Sequence, residues 1–256
     1  MLSAMGMMFS SEREGAVAVL RLEHGKVNAM DLPLCEALTK QLGILAADSC
    51  EAVVLTGAGN SFCAGVDLVR LAEGGPEYVK HFLPAMDTLF HTLLTFPKPM
   101  VAALNGHALA GGCIIAACCD HVVMADGQGR VGVTELAVGV PFPILPLEIV
   151  RARVTERDGR DLVYSARTLL PAEALAVGLV DQVVPAADLL THAMEAAARL
   201  AAIAPMTFGI TKRAMVAPIL ARVRDAAAID ADVTRAWQGD EVLSLVRAFL
   251  DRRARK

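Results

Sequence analysis

Short apolar runs alternate with loops and longer amphipathic stretches between residue 17 and residue 185. Runs that are apolar at nearly every position are typical of strands buried on both faces, and they occur at 17–22, 52–56, 100–104 and 121–124. Between these runs, helices are predicted at about 31–47, 76–94 and 113–118. Because strand, loop and helix alternate in this order, the sequence predicts an α/β fold.

The pattern changes after residue 185, where the strand-like runs end. Only helical segments are predicted over the remainder, at about 187–202, 205–229 and 232–253. We therefore predict two regions, with residues 1–195 forming the α/β core and residues 196–256 forming a helical C-terminal region. No repeat or low-complexity linker separates them, so we expect the two regions to pack against each other.

The composition raises the question of a membrane protein, because 55% of the 256 residues are hydrophobic and the mean hydropathy is +0.48. The most apolar run, Ala108–Cys119, is shorter than the about 20 residues that a helix needs to cross a bilayer. The net charge of −4 argues against a surface that neutralises nucleic-acid phosphates. Met1–Ser11 lacks the basic start of a signal peptide, so we expect it to be a frayed N-terminal segment of a cytoplasmic protein. From the run length and the charge, we expect the protein to bind neither membrane nor nucleic acid.

The cysteines offer a candidate metal site that we reject. Cys113, Cys118, Cys119 and His121 lie close together in the sequence, but their spacing fits no zinc signature. The six cysteines include no Cys-x-x-Cys pair, and a long intracellular chain rarely carries disulfides. We therefore predict free, buried thiols that pack as small apolar groups, and no metal.

Candidate chemistry lies in two loops that follow apolar strands, Phe62–Leu68 and Asn105–Cys113. Small residues in both loops allow backbone N–H groups to approach a ligand closely, and a helix beginning near Gly111 adds its dipole. Two such N–H groups aimed at one point form an oxyanion hole. Taken alone, each loop is equally compatible with glycines that only permit tight turns.

These loops and three neighbouring segments resemble the crotonase superfamily, the enoyl-CoA hydratase/isomerase family. In family order, the matching segments are Lys26–Ala29, Phe62–Leu68, Lys98–Gly112, Cys119–Asp120, and Gly132–Gly139 with Glu135. The resemblance implies a crotonase-like ββα spiral core and a C-terminal helical trimerisation region. It also implies an acyl-CoA thioester substrate, no cofactor beyond the CoA moiety, and a homotrimer or a dimer of trimers.

The resemblance also assigns site residues by their positions in this sequence. It implies oxyanion-hole amides at Ala64 and Gly111 and a catalytic carboxylate at Glu135. The implied residues that bind substrate and CoA are Val27, Ala64, Gly65, Val66, Asp67, Leu68 and Gly111. Phe249 and either Arg252 or Arg253 are looser counterparts of residues that reach CoA from the last helix.

The choice between hydration and isomerisation depends on a second carboxylate. Hydratases of this family position water between two glutamates. At the position of the first glutamate, this sequence has Ile114. Their Pro-Gly-x-Gly-Gly segment is also replaced, by Val140–Ile144. A single glutamate is enough to isomerise a 3-enoyl thioester to a 2-enoyl thioester, which resembles the Δ3,Δ2-enoyl-CoA isomerase branch. We expect Glu135 to be desolvated by Ile114, Leu136 and Phe142, which raises its pKa.

Two alternatives stay open at this point. One is a hydratase or another crotonase reaction whose missing carboxylate comes from elsewhere in the chain. The other is a non-catalytic acyl-CoA-binding or assembly protein, in which Glu135 is an ordinary turn carboxylate. Among the charged residues other than Glu135, we predict structural roles for Asp67 and Asp120. We expect Lys212 and Arg213 to face solvent or a subunit contact.

Overall fold

The computed structural model describes residues 8–255. Its strands are β1 Phe9–Glu14, β2 Val17–Leu22, β3 Ala52–Gly57, β4 Ser61–Cys63, β5 Met100–Leu104, β6 His107–Leu109, β7 His121–Ala125, β8 Val131–Gly132 and β9 Gln182–Val184. Its helices are α1 Leu32–Ala47, α2 Leu68–Leu94, α3 Gly111–Ala117, α4 Glu135–Val138, α5 Ile144–Arg153, α6 Glu156–Ser165, α7 Pro171–Val177, α8 Leu189–Ala201, α9 Pro205–Asp225, α10 Ala227–Gln238 and α11 Asp240–Ala254, with a 3-10 turn at Ala186–Asp188.

The larger sheet has the strand order β1-β2-β3-β5-β7-β9, and only the β1–β2 pair is antiparallel. Its central strands are buried on both faces, as the continuous apolar runs predict. One face packs on the small side chains of α8, including Ala193, Ala196 and Ala197. The other face packs on the main hydrophobic core. The predicted α/β fold is therefore confirmed.

A second sheet, with the order β4-β6-β8, is formed by parts of the chain that we predicted to be loops. Its parallel strands are three residues long or shorter and include polar residues such as Ser61 and His107. Segments this short carry no readable alternation of apolar and polar residues. The element order β3-β4-α2, β5-β6-α3, β7-β8-α4 repeats a ββα unit, which is the architecture that the resemblance implied.

Several boundaries differ from the predicted ones. Helix α2 begins at Leu68 instead of near residue 76, because the Asp67 side chain caps it and Gly75, with φ of +61°, admits a kink before Pro76. The predicted helix at 205–229 ends at Asp225, and the last helix begins at Asp240, after Gly239.

The expected frayed start is wrong for Phe9–Ser11, which belong to β1, while residues 1–7 of that segment lie outside the described residues. Strand β1 is an edge strand whose polar residues face solvent, so it lacks an apolar pattern. Across the described range, we find no helix that combines the length and the apolar character needed to span a bilayer. All six cysteines are free and buried, which confirms the prediction for the thiols.

The expectation that Lys212 faces solvent is wrong. Its side chain is 8% exposed, and its Nζ lies 2.7 Å from Oδ2 of Asp120, which also accepts a hydrogen bond from the Met100 N–H. This pair joins α9 to the start of β5 and the end of the α3 segment. A solitary lysine in a helical sequence does not reveal a partner 92 residues away.

We expect Lys212→Ala to lower the free energy of unfolding by about 2 kcal/mol, because it leaves the Asp120 carboxylate partly buried without its cation. Urea denaturation measures the change. Arg213→Ala, at the exposed neighbouring position, is the matched control and is expected to stay within about 0.5 kcal/mol of the wild type. Equal losses in the two variants would contradict the structural role of the ion pair.

Candidate active site

A cavity of about 290 Å³ lies between the two glycine-containing loops, the α4 turn and the C-terminal helices. Its walls are mostly apolar, which suits an acyl chain better than a polar metabolite. The structure brings most of the predicted site residues to this cavity, namely Val27, Ala64, Val66, Asp67, Leu68, Gly111, Ile114 and Glu135. Gly65 is not part of the wall, because it lies behind it against the second loop.

The two loops contact each other through their backbones. A Cβ atom on Gly112 would lie 2.1 Å from the carbonyl oxygen of Cys63, and one on Gly65 would lie 2.7 Å from that of Leu109. Gly65 also has a φ of +87°, which other residues rarely adopt. Glycine is therefore required at both positions. Because neither has a side chain, the first loop can approach the backbone nitrogen of Gly111.

The predicted oxyanion donor Ala64 needs correction. Its N–H donates a hydrogen bond to the carbonyl oxygen of Val27, at 3.0 Å, so it is not available to a ligand. The N–H of Val66, two residues later, has no acceptor among the residues that the structure describes, and Val66 lines the cavity. Sequence spacing does not distinguish the two amides, because the difference depends on how residues 27–30 pair with this loop.

The second donor, Gly111, is placed by the start of α3. The preceding residue, Ala110, has a φ of +48° and donates its N–H to Gly132, which turns the chain so that the helix begins at Gly111. N–H groups in the first turn of a helix have no acceptor within the helix. The Gly111 N–H also has no acceptor elsewhere in the described part of the chain, and Gly111 lines the cavity together with Ile114.

Glu135 is the first residue of α4 and is only 9% exposed. Burial raises the pKa of its carboxyl group to about 7, against the smaller lowering effect of hydrogen bonds from its own N–H and from Thr134. Within the described part of the chain, its Oε2 has no hydrogen-bond partner. The predicted rise in pKa is confirmed, although Ile114 is the only one of the three expected apolar neighbours that lines the cavity with it.

Carboxylates other than Glu135 are scarce around this cavity. Among the described lining residues, Asp67 is the only other acid. Its Oδ1 accepts the N–H groups of Val69 and Arg70, because it caps α2, so it is a structural residue as predicted. Ile114 is fully buried in the wall. The cavity therefore combines one desolvated carboxyl group with two unpaired backbone N–H groups.

Residues 12–255 match the sequence profile described as enoyl-CoA hydratase/isomerase. The chain belongs to this family. A putative enoyl-CoA hydratase of Thermus thermophilus is 36% identical over 248 residues, which cover 94% of this chain and 96% of that protein. The mitochondrial enoyl-CoA delta isomerase 1 of Mus musculus is 30% identical over 211 residues, covering 81% of this chain and 73% of the mouse protein.

The fold comparison agrees with the sequence comparison. The crystal structure of human mitochondrial delta3-delta2-enoyl-CoA isomerase superimposes with a TM-score of 0.92 at 28% identity, covering 97% of this chain and 98% of the human one. Relatives thus carry both hydratase and isomerase names. Membership of the hydratase/isomerase family establishes an enzyme that acts on acyl-CoA thioesters, and it does not choose between the two reactions.

Two residues of this family member are important to the site but were not assigned as site residues from the sequence. The Asn28 side chain accepts the His24 N–H and donates to the carbonyl oxygens of Ser61 and Phe62, so it fixes the first loop. Trp237 lines the cavity and donates its indole N–H to the Pro141 carbonyl oxygen at 2.8 Å. A signal existed for Asn28, which lies in a matching segment, whereas no pattern marks Trp237.

The last helix also reaches the cavity, as the looser part of the resemblance implied. Phe249 and Arg253 line it, and the guanidinium of Arg253 lies 6.0 Å from the centre of the Phe249 ring. Arg252 contacts the same ring at 5.9 Å, but it is not among the lining residues. The geometry therefore favours Arg253 over Arg252 as the basic residue of the last helix that contributes to the cavity wall.

We expect Gly112→Ala to cost about 3 kcal/mol of stability, because the added methyl group would overlap the Cys63 carbonyl and push the two loops apart. Gly43→Ala is the matched control, since a Cβ there meets no atom within 4 Å and position 43 lies inside a helix. That control is expected to gain about 0.5–1 kcal/mol. Urea denaturation of both variants checks the pair, and a neutral Gly112→Ala would contradict the required close approach.

Proposed function

We propose that this enzyme is a Δ3,Δ2-enoyl-CoA isomerase that uses Glu135 as its single acid–base residue. The observation that carries the proposal is the pairing of Glu135 with Ile114 in one cavity. A hydratase must hold and activate a water molecule, and the buried isoleucine offers that water no hydrogen bond. Asp67 does not replace the missing carboxylate, because its Oδ1 caps α2 and its Oδ2 lies 3.6 Å from Nε of Arg70.

In the proposed reaction, the ionised Glu135 carboxylate removes a proton from C2 of a 3-enoyl thioester. The electron pair of the broken C–H bond enters the conjugated system, and the negative charge reaches the thioester oxygen. The protonated Glu135 then returns the proton to C4, so the double bond moves from C3–C4 to C2–C3 and the carboxylate is regenerated. A carboxyl group with a pKa of about 7 is suited to both steps, because neither protonation state is strongly disfavoured near neutral pH.

We assign the stabilisation of the dienolate oxygen to the N–H groups of Val66 and Gly111. Support comes from their position on the cavity wall and from the lack of competing acceptors among the described residues. Donors that are already oriented need no rearrangement when charge develops, and each is typically worth about 10²–10³-fold in rate. The close backbone contact between the two loops supports such preorganisation, because each loop packs directly against the other.

The remaining expectations from the family resemblance are also proposals. We propose that CoA contacts Val27, Ala64, Val66, Asp67, Leu68 and Gly111, while Gly65 acts by allowing the two loops to approach, and that no cofactor beyond the CoA moiety takes part. We further propose a homotrimer or a dimer of trimers assembled through residues 196–256. The exposed side chains of Met206 and Ile210 on α9 support this assembly, because large apolar side chains on a surface often mark subunit contacts.

We expect Glu135→Gln to reduce isomerisation of 3-enoyl-CoA by about 10²–10⁴-fold, because the amide cannot accept the C2 proton. Its affinity for saturated acyl-CoA is expected to stay near that of the wild type, since the side chain keeps its shape. The formation of the conjugated 2-enoyl thioester, followed by ultraviolet absorbance, measures the rate. Glu36→Gln, on the exposed face of α1, is the matched control and is expected to retain full activity.

The same assay with two substrates distinguishes the alternatives. Conjugation of 3-enoyl-CoA without hydration of 2-enoyl-CoA is the expected result for the wild type. Hydration without conjugation would overturn the isomerase proposal in favour of a hydratase. Acyl-CoA binding without turnover of either substrate would instead indicate a binding or assembly protein.

We expect kcat/KM for isomerisation to depend on the ionisation of Glu135. The base must be deprotonated, so the rate should fall about ten-fold for each pH unit below a midpoint near 7 and should level off above it. A stopped-flow series over pH with a single 3-enoyl-CoA measures the profile. A midpoint near 4.5, the value of an exposed glutamate, would show that a different environment or a different base controls the reaction.

A further inference from the structure

The active-site cavity adjoins a second cavity of about 200 Å³ that is lined by α2, α10 and the start of α5. The two cavities share part of their walls, formed by Met86, Phe90, Pro143 and Pro146. The first cavity contains Glu135 and Gly111, whereas the second is bounded by α2 and α10. A chain extending from the reacting carbons past these shared residues would enter the second cavity.

Of the four shared residues, Met86 is the one whose side chain can move aside. Phe90 is packed at the catalytic end, where its ring lies 3.7 Å from the position of a Cβ on Gly111. Pro143 and Pro146 have ring side chains without free rotation. Met86 is 5% exposed and has an unbranched side chain with three rotatable bonds, which adapts readily to different neighbours.

We propose that Met86 determines the length of acyl chain that this enzyme accepts, by closing the passage between the two cavities. The inference rests on the proposed function only in taking the ligand to be an acyl-CoA, and it holds for either reaction of the family. With Met86 in place, a chain that fills the inner cavity gains little from further methylene groups. With Met86 shortened, the same chain continues between α2 and α10.

The outer cavity suits the end of an unbranched alkyl chain. Leu83, Pro84 and Val233 give it an apolar wall. The rest of its wall is polar and includes Lys80, Asp87, Asp230, Thr234 and Gln238. Asp230 is held in place because its Oδ1 accepts the Ile144 N–H. One cation and two carboxylates give this wall no excess of positive charge, so it does not attract an anionic chain end. We take the occupant to be the end of an alkyl chain that contacts Leu83, Pro84 and Val233.

Binding of saturated acyl-CoAs tests the proposal without any turnover. Trp237 is the only tryptophan in the sequence and lines the inner cavity, so its fluorescence reports the ligand directly. We compare octanoyl-CoA with dodecanoyl-CoA on the wild type, Met86→Ala and Met86→Val. Met86→Val removes fewer buried atoms and serves if the alanine variant is too unstable. Ile44→Ala, a similar shortening at an exposed apolar residue of α1, is the matched control.

We expect wild type and Ile44→Ala to bind the two ligands within about three-fold of each other. In Met86→Ala, dodecanoyl-CoA should bind at least about ten-fold more tightly than octanoyl-CoA, since each newly buried methylene contributes about four-fold in affinity. Met86→Val should fall between these values. If both ligands bind and their affinity ratio is the same in all four proteins, the role of Met86 is wrong. If neither ligand binds to the wild type, the proposed function itself is wrong.

Discussion

The backbone contact between the two glycine-containing loops is the constraint on which the rest of the site depends. Gly65 and Gly112 allow it, because any side chain at either position would overlap a carbonyl oxygen of the opposite loop. The small parallel sheet β4-β6-β8 runs through the same region and holds the loops in register. As a consequence, Val66 and Gly111, whose N–H groups have no acceptor among the described residues, line one cavity from two different turns of the spiral.

The chemistry of the cavity follows from what surrounds this pair of amides. Glu135 is buried in a mostly apolar wall, and the loss of water raises its pKa to about 7. Ile114 has two effects there. It occupies the position at which hydratases of the family have a second carboxylate, and it keeps the neighbouring part of the cavity apolar. In the proposed mechanism, an apolar wall strengthens the attraction between a developing oxyanion and fixed dipoles, so the residue that disfavours hydration would also favour the stabilisation of an enolate.

The C-terminal helices complete the cavity that the spiral core begins. Trp237 of α10 is tied to the Pro141 carbonyl oxygen, and Phe249 of α11 lies at the wall near Arg253. The side chain of Leu245 also packs against Gly139, directly after the α4 turn. These contacts connect the two predicted regions at the active site. Val66, Gly111 and Glu135 therefore come from the core, while the helical region contributes Trp237, Phe249 and Arg253 to the cavity wall.

The amino-acid sequence was enough to predict the buried parallel strands, the family and a carboxylate at Glu135 in the site, because these depend on local apolar runs and on short motifs in a fixed order. It did not determine β4, β6 and β8, whose few residues carry no periodicity. Nor did it show that the Ala64 N–H is bonded to Val27, that Lys212 pairs with Asp120, or that Trp237 joins the cavity. These features required the tertiary structure, because each depends on contacts between residues far apart in the chain, whose distances no local pattern encodes.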